Sequence, residues 1–247
     1  DQCLIECGFT EREVEIAALL IIGRIVSPGS ERHLYHWAQN ISALDELLET
    51  DFTELSLNTL YSVCDKIYEN KDYIEKHLSQ RERDLFGLRE KIILYDLTNT
   101  FLEGLAFGNP KAKFGRFKEK RSDCRLLTLG LVIDGRGFPK TSKVFSGNQS
   151  EPKTLLEMID ILREQDPTHS VEKVEDSDKP TVVIDAGIAT EENLSELKEH
   201  YHYICVSRKK MIDLPASDDF VLIKEDKKNK VEAQRITHNG EVFLYCK

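Results

Sequence analysis

Near residue 89 the hydrophobic pattern of this chain changes period, and that change restricts the available folds more than any other feature. Before it, apolar residues recur at helical spacing. After it, short β-branched runs such as KIILYDL, RLLTLGLVID and TVVID stand between turn residues. A chain divided in this way folds as helices followed by a mixed α/β sheet, and not as a uniform bundle or a β-sandwich. At 247 residues it has room for one large domain or two modest ones. The division predicts an all-helical domain over residues 1–88 and an α/β domain over residues 89–247.

Within the first part, Thr10 followed by Glu13 is a capping-box pattern ahead of EREVEIAALLIIGRIV. That segment is apolar around much of its circumference, which predicts a buried helix ending at Pro28 and Gly29. Ser30, Ser42 and Ser56 are the expected caps of three further helices. The last is expected to run unbroken through LNTLYSVCDKIYENKDYIEKHL. A small helical domain of this kind is a candidate for presenting a helix to DNA, with a plain scaffold as the alternative.

The second part has a definite order. Three strands in a meander lead to a helix over EPKTLLEMIDILREQ, with Pro152 in its first turn. A fourth strand in PTVVID, a helix over TEENLSELKEHY and a fifth strand in YHYICVSRKK follow. That is the order of a ribonuclease-H-like sheet, in which the fourth strand lies beside the first. Asp96 and Asp185 close the first and fourth strands, 89 residues apart in sequence (185 − 96). Brought together, the two carboxylates repel, and a hard divalent cation with oxygen ligands relieves the repulsion. A metal so held activates a water or a 3′-hydroxyl for attack on a phosphodiester. Read singly, each aspartate is a turn residue at a strand end. The tail, with FVLIKED, KVEAQRITHNG and EVFLYCK, predicts further strands.

The net charge of −10 excludes a protein that coats nucleic acid non-specifically. Residues 111 to 125, KAKFGRFKEKRSDCR, nonetheless carry seven Lys or Arg against two acidic residues. Lys118, Lys120, Arg121 and Arg125 are the candidate phosphate contacts there, with Phe114 and Phe117 placed to stack on unpaired bases. Arg208 and Lys209 form a second, smaller basic candidate; a solvated face is the plain alternative for both. Cysteines at 3, 7, 64, 124, 205 and 246 form no dense framework and read as reduced thiols. Cys3 and Cys7 with His33 and His36 are too loosely spaced for a zinc site. The sequence holds no apolar stretch of about 18 residues and no signal-like start, so a cytoplasmic protein with no membrane contact is expected.

Several blocks in this order carry a resemblance: IVSPGSE, SQRERDLFGL, YDLTNTFLEG, KEKRSDCRLLTLGLVIDGRGFP, FSGNQSEPKTL, VVIDAGIAT and YICVSRKK. Together they resemble the DDE transposases of bacterial and archaeal insertion sequences. The resemblance implies a ribonuclease-H-like catalytic domain with Mg²⁺ or Mn²⁺ as cofactor. Asp96 and Asp185 would be the first two of three acidic ligands. The third in that family is a glutamate on a later helix, within a Tyr, Arg, Glu, Lys pattern and beyond a β-rich insertion that here starts at about residue 213. The sequence stops before it, which suggests a C-terminally truncated fragment. The resemblance further implies DNA cleavage and strand transfer, with element terminal repeats and target DNA as partners. It also implies a homodimer at full length in a prokaryotic cytoplasm, nucleoid-associated when bound to DNA. Two alternatives stand beside it. One is an inactive truncated transposase acting at most as a DNA-binding protein. The other is an aspartyl-phosphate phosphotransferase using Asp96 of YDLTNT as nucleophile, against which the acidic runs DSD at 176 to 178 and DD at 218 to 219 fall in polar loops.

Overall fold

A computed structural model describes residues 1–87, 92–115, 123–165, 179–207, 220–226, 229–238 and 241–246. The chain divides into two compact units, Asp1–Val206 and Ser207–Lys247. Among the described residues, six α-helices precede the first strand: α1 (Gln2–Glu6), α2 (Glu11–Val26), α3 (Glu31–Asn40), α4 (Leu44–Leu48), α5 (Leu57–Glu69) and α6 (Lys71–Phe86). Their apolar faces build one core from Phe9, Ile16, Leu19, Leu20, Leu34, Phe52, Leu60 and Val63.

The capping box at the start of α2 forms as expected. The Thr10 hydroxyl accepts from the Glu13 amide, and the Glu13 carboxylate accepts from the Thr10 amide. Ser30 and Ser56 cap α3 and α5. Three local expectations fail. Ser42 does not cap α4, whose N-cap is Ala43; its hydroxyl turns back to the Ala38 carbonyl instead. The run from Leu57 breaks at Asn70 into α5 and α6, where the Asn70 side chain donates to the Lys66 carbonyl and satisfies a helix-end acceptor. Helix α2 is buried on one side only. Ile16, Ala17, Leu19 and Leu20 are inside, whereas Ile21, Ile25 and Val26 face out.

Five strands form the main sheet: β1 (Ile92–Leu102), β2 (Arg125–Asp134), β3 (Pro139–Ser146), β4 (Thr181–Ile184) and β5 (His202–Cys205). Their order is β3-β2-β1-β4-β5. β1 runs antiparallel to β2 and parallel to β4, and β4 runs parallel to β5. The predicted neighbour relation, fourth strand beside first, is the one observed. A short 3₁₀ turn (Glu151–Lys153) leads into α7 (Thr154–Gln165), and α8 (Glu191–His200) joins β4 to β5. Both helices pack on one face of the sheet. There Leu155, Met158, Ile159 and Leu162 of α7 and Leu197 of α8 meet Ile93, Tyr95, Leu97, Val132, Val182 and Ile184. These parallel strands are apolar because their inner face is covered by crossover helices. The second unit is a three-stranded antiparallel sheet of β6 (Val221–Glu225), β7 (Lys230–His238) and β8 (Glu241–Cys246), with Phe220 edge-on to Tyr245.

Strand β3 is an edge of the main sheet, and α6 covers it. Glu75 accepts from the Ser142 amide at 3.1 Å and from the hydroxyls of Thr141 and Ser142. Lys71, one helical turn earlier, donates to the Ser142 carbonyl at 2.6 Å and pairs with Glu75 at 3.0 Å. The helix therefore satisfies backbone groups that an edge strand would otherwise offer to another chain. A second tie lies further along, where Lys140, 2% exposed, meets Glu82 at 2.9 Å and Asp134 at 3.6 Å. Asp134 in turn accepts from the Arg136 and Phe138 amides, which sets the β2–β3 turn.

Two outcomes follow from these contacts. Glu75→Ala strips the Ser142 amide of its acceptor and leaves Lys71 half-paired. Urea unfolding is expected to show a loss of about 1–3 kcal/mol, with Glu75→Gln retaining most of it. The hydrogen bond from Lys66, together with that from the Thr10 amide, holds the Glu13 carboxyl below its ordinary value. Its contribution is therefore present above the unfolded-state value and is lost as the pH falls through the carboxylate range. Glu13→Gln flattens that part of the acid-unfolding curve.

Candidate functional site

The site begins with alternation along β1. Ile93, Tyr95 and Leu97 are buried toward α7, so Ile92, Leu94, Asp96 and Thr98 occupy the opposite face, with Asp96 exposed. Tyr95 locks this phase. Its hydroxyl donates to Thr154 Oγ1 at 2.8 Å inside the core, and the Thr154 hydroxyl passes the chain on to the Glu151 carbonyl. Burial drives the Tyr95 phenol well above its ordinary pKa. On β2, opposite Leu97, stands Gly130. A Cβ there would lie 2.8 Å from the Phe145 ring and 3.3 Å from the Tyr95 hydroxyl, so the missing side chain is the space in which Tyr95 sits.

The sequence places Asp96 at the end of a strand, but β1 continues six residues beyond it to Leu102. The TNTFL segment keeps pairing with β2 as far as Arg125. What ends at Asp96 is the pairing with β4, whose last ladder pair is Tyr95 with Ile184. Asp185 is the residue after Ile184, just past the end of β4, whose alternation leads toward the face of Val183 and Asp96. It is exposed, and its backbone carbonyl accepts from the Ile188 and Ala189 amides in the turn toward α8. The two aspartates thus each follow a residue of the last β1–β4 ladder pair, at the ends of a pairing whose backbones lie about 4.8 Å apart. They occupy the fork where β1 goes on and β4 stops. Among the described residues neither side chain makes a hydrogen bond or an ion pair, so both are available to a ligand.

That donor set suits one class of cation. Two exposed carboxylates with open solvent around them match a hard ion that keeps several waters, as Mg²⁺ does when bound through one or two protein carboxylates. Among the described residues no group of three or more His, Cys, Asp and Glu converges on a common point. His33, from the zinc pattern set aside above, bonds Ser27 through its ring at 2.9 Å.

Of the basic candidates, Lys118, Lys120, Arg121, Arg208 and Lys209 lie outside the described residues, as does Phe117. Arg125 is described, and its charge has partners. The guanidinium donates to the Ala112 carbonyl at 3.2 Å and lies 5.1 Å from the Phe107 ring centre and 5.5 Å from that of Phe114. It pins the loop that leaves β1. Phe107 escaped the sequence reading, which looked for aromatics inside the basic run; its setting between Gly104, Gly108 and Pro110 in a turn was the available signal.

No family model and no curated protein matches the chain. Among solved structures it is similar to a Mos1 transposase paired-end complex with left transposon end, with 9% identity and a TM-score of 0.31. That alignment covers 79% of this chain and 59% of that one. A Mos1 mariner paired end complex with Mn gives 12% identity and a TM-score of 0.29, over 76% and 57%. A pre-cleavage Mos1 transpososome gives 9% and 0.31, over 79% and 60%. The chain therefore spans less than two thirds of the length of each, and likeness at this level fixes no residue's role.

Arg125→Ala removes the anchor between Phe107, Phe114 and Ala112. Hydrogen exchange of the amides at residues 103–115 is expected to quicken by about tenfold or more, while α2 and α5 stay unchanged.

Proposed function

We propose that this protein is a DNA strand-transferase of the DDE transposase kind, with a ribonuclease-H-like sheet as its catalytic frame and Asp96 and Asp185 as metal-holding carboxylates. The observation that carries this reading is the fork itself. The ladder of β1 with β4 ends at Tyr95 and Ile184, and an exposed aspartate follows each of them, neither with a side-chain partner among the described residues, where β4 stops beside a continuing β1. A turn-forming role for either aspartate gives no reason for both to occupy that place. The block resemblance to insertion-sequence transposases agrees with this assignment.

In this reading Asp96 and Asp185 orient a divalent cation, Mg²⁺ or Mn²⁺, against a phosphodiester. The bound ion would supply charge stabilisation and a more acidic attacking hydroxyl. The chain's own contribution is rigidity. Tyr95, fixed by Thr154, holds Asp96 in phase, and the turn that closes on the Asp185 carbonyl holds its partner. The covered inner face keeps that pair from shifting with solvent. Basic residues of the 111–125 segment would receive the phosphate backbone, with element ends and target DNA as partners. The phosphotransferase alternative, with Asp96 as nucleophile, needs a Lys and a further acidic pair on later strands, and the acidic runs at 176–178 and 218–219 lie in polar stretches of the sequence outside the described residues.

Metal binding tests this directly. Mn²⁺ titration followed by proton relaxation is expected to show a weak site, with Kd of about 10⁻⁴ to 10⁻³ M. Asp96→Asn or Asp185→Asn should each weaken it by about tenfold or more without changing the thermal unfolding midpoint. Fe²⁺ substituted at that site, with ascorbate and peroxide, should cut the backbone near residues 96 and 185. Mn²⁺ binding unchanged in both Asn variants would remove the metal centre.

A further inference from the structure

We infer that residues 103–115, the described stretch that leaves β1, form a stacking platform for unpaired DNA bases, built from Phe107 and Phe114 with Arg125 beside both rings. Residues 111–115 of that stretch are anchored to the sheet. Lys113 and Leu126 exchange both backbone hydrogen bonds, at 3.2 and 2.9 Å, and the Gly147 amide donates to the Lys111 carbonyl at 3.1 Å. The Lys111 ammonium donates to the Val144 carbonyl at 2.9 Å, and Ala112 is fully buried. At Gly115 a Cβ would lie 2.1 Å from the Gly147 carbonyl oxygen, so only glycine allows this backbone approach. Ala106 takes a left-handed conformation, φ 42°, next to Phe107. A non-glycine residue in that region is uncommon and marks a conformation that its surroundings enforce.

On this anchored frame the apolar groups point the wrong way for a core. Phe107 is 71% exposed and Phe114 is 59% exposed. Each ring lies against the Arg125 guanidinium, yet leaves more than half of its surface in water. A rigid loop that holds two aromatic rings in solvent around a cation has the composition of a base-stacking surface. Rings take the π-faces of successive bases, and Arg adds a planar cation. The occupant's charge is also indicated, because residues 111 to 125 carry seven Lys or Arg against two acidic residues inside a chain of net charge −10. A polyanion with exposed bases fits both features, whereas duplex DNA hides the faces that the rings require.

The platform leaves β1 at the end remote from the fork. Six residues of β1 separate Asp96 from Leu102, about 20 Å of strand. Along one DNA strand that is about six nucleotides of B-form rise. Resting on the functional reading above, the inference is that the platform holds bases splayed from the duplex at the far end of β1, several nucleotides from the phosphate received at Asp96 and Asp185.

The test uses the full chain without metal and an oligodeoxynucleotide of about 12 nucleotides carrying one 2-aminopurine, beside a blunt duplex of the same length. Stacking on the rings should quench the 2-aminopurine fluorescence, and the single strand should bind more tightly than the duplex. Phe107→Leu with Phe114→Leu should weaken the single strand by about tenfold per ring and abolish the quench, with duplex binding changed by less than about twofold. Phe107→Tyr with Phe114→Tyr should keep both signals, and wild-type quenching stands as evidence even if the leucine variant unfolds. Absence of quenching in the wild-type protein overturns the platform. Equal loss on single strand and duplex overturns it in favour of plain electrostatic contact. Self-association lost in the leucine variant, with no quench in the wild type, assigns the rings to a second copy of this chain. Asp96→Asn and Asp185→Asn separate the two proposals. If they leave Mn²⁺ binding intact while quenching persists, only the metal centre fails; if they abolish it while quenching is absent, only the platform fails.

Discussion

The buried hydroxyl of Tyr95 is the constraint on which the rest of this site depends. Side chains alternate across a strand, so a tyrosine fixed inward by Thr154 obliges its neighbour Asp96 to face outward. A slip of one residue would bury the carboxylate in an apolar core, where it could not remain charged without a partner. The same register aligns Tyr95 with Ile184 on the adjacent strand, and this brings Asp185 into line. One hydrogen bond in the core thus orders two acidic groups on the surface. Gly130 takes part by omission, because any side chain there would contend with the phenol for space.

Much of this was legible because it depended on local chemistry. The capping box at Thr10 and Glu13, the caps at Ser30 and Ser56 and the strand order all follow from residue types at fixed spacing. The adjacency of the first and fourth strands follows from likeness of that element order to a ribonuclease-H-like sheet. What was not legible depended on partners distant in sequence. β1 outruns its β-branched core because TNTFL finds β2, a pairing invisible within a short window. Asn70 splits a run of continuous helical periodicity by donating to the Lys66 carbonyl, a choice that periodicity does not encode. Arg125, read as a phosphate contact, has its charge engaged by Phe107, Phe114 and Ala112, which are 11 to 18 residues earlier in the chain.

The acidic fork and the aromatic loop share one structural element. Strand β1 passes through both, carrying Asp96 at the fork and ending in the loop that Arg125 gathers. An antiparallel ladder with β2 runs from Asp96 to the start of the loop, so backbone rise sets that part of their separation. Sites built on strands keep their spacing better than sites built on loops alone. For chemistry on a long polymer, that fixed spacing converts one contact into a ruler for the other.

The hold of α6 on β3 has a different kind of consequence. Lys71 and Glu75 reach the carbonyl and amide of Ser142, groups that every residue other than proline possesses. The main-chain part of this docking makes no demand on the side chain at 142, but Thr141 and Lys140 are also held through their side chains, on Glu75 and Glu82. Lys71 and Glu75 have no such latitude, since both ends of the grip must be kept together. In a lineage of related chains, drift should therefore be easier at position 142 than at 140 or 141, where a change on the strand calls for a matching change on the helix.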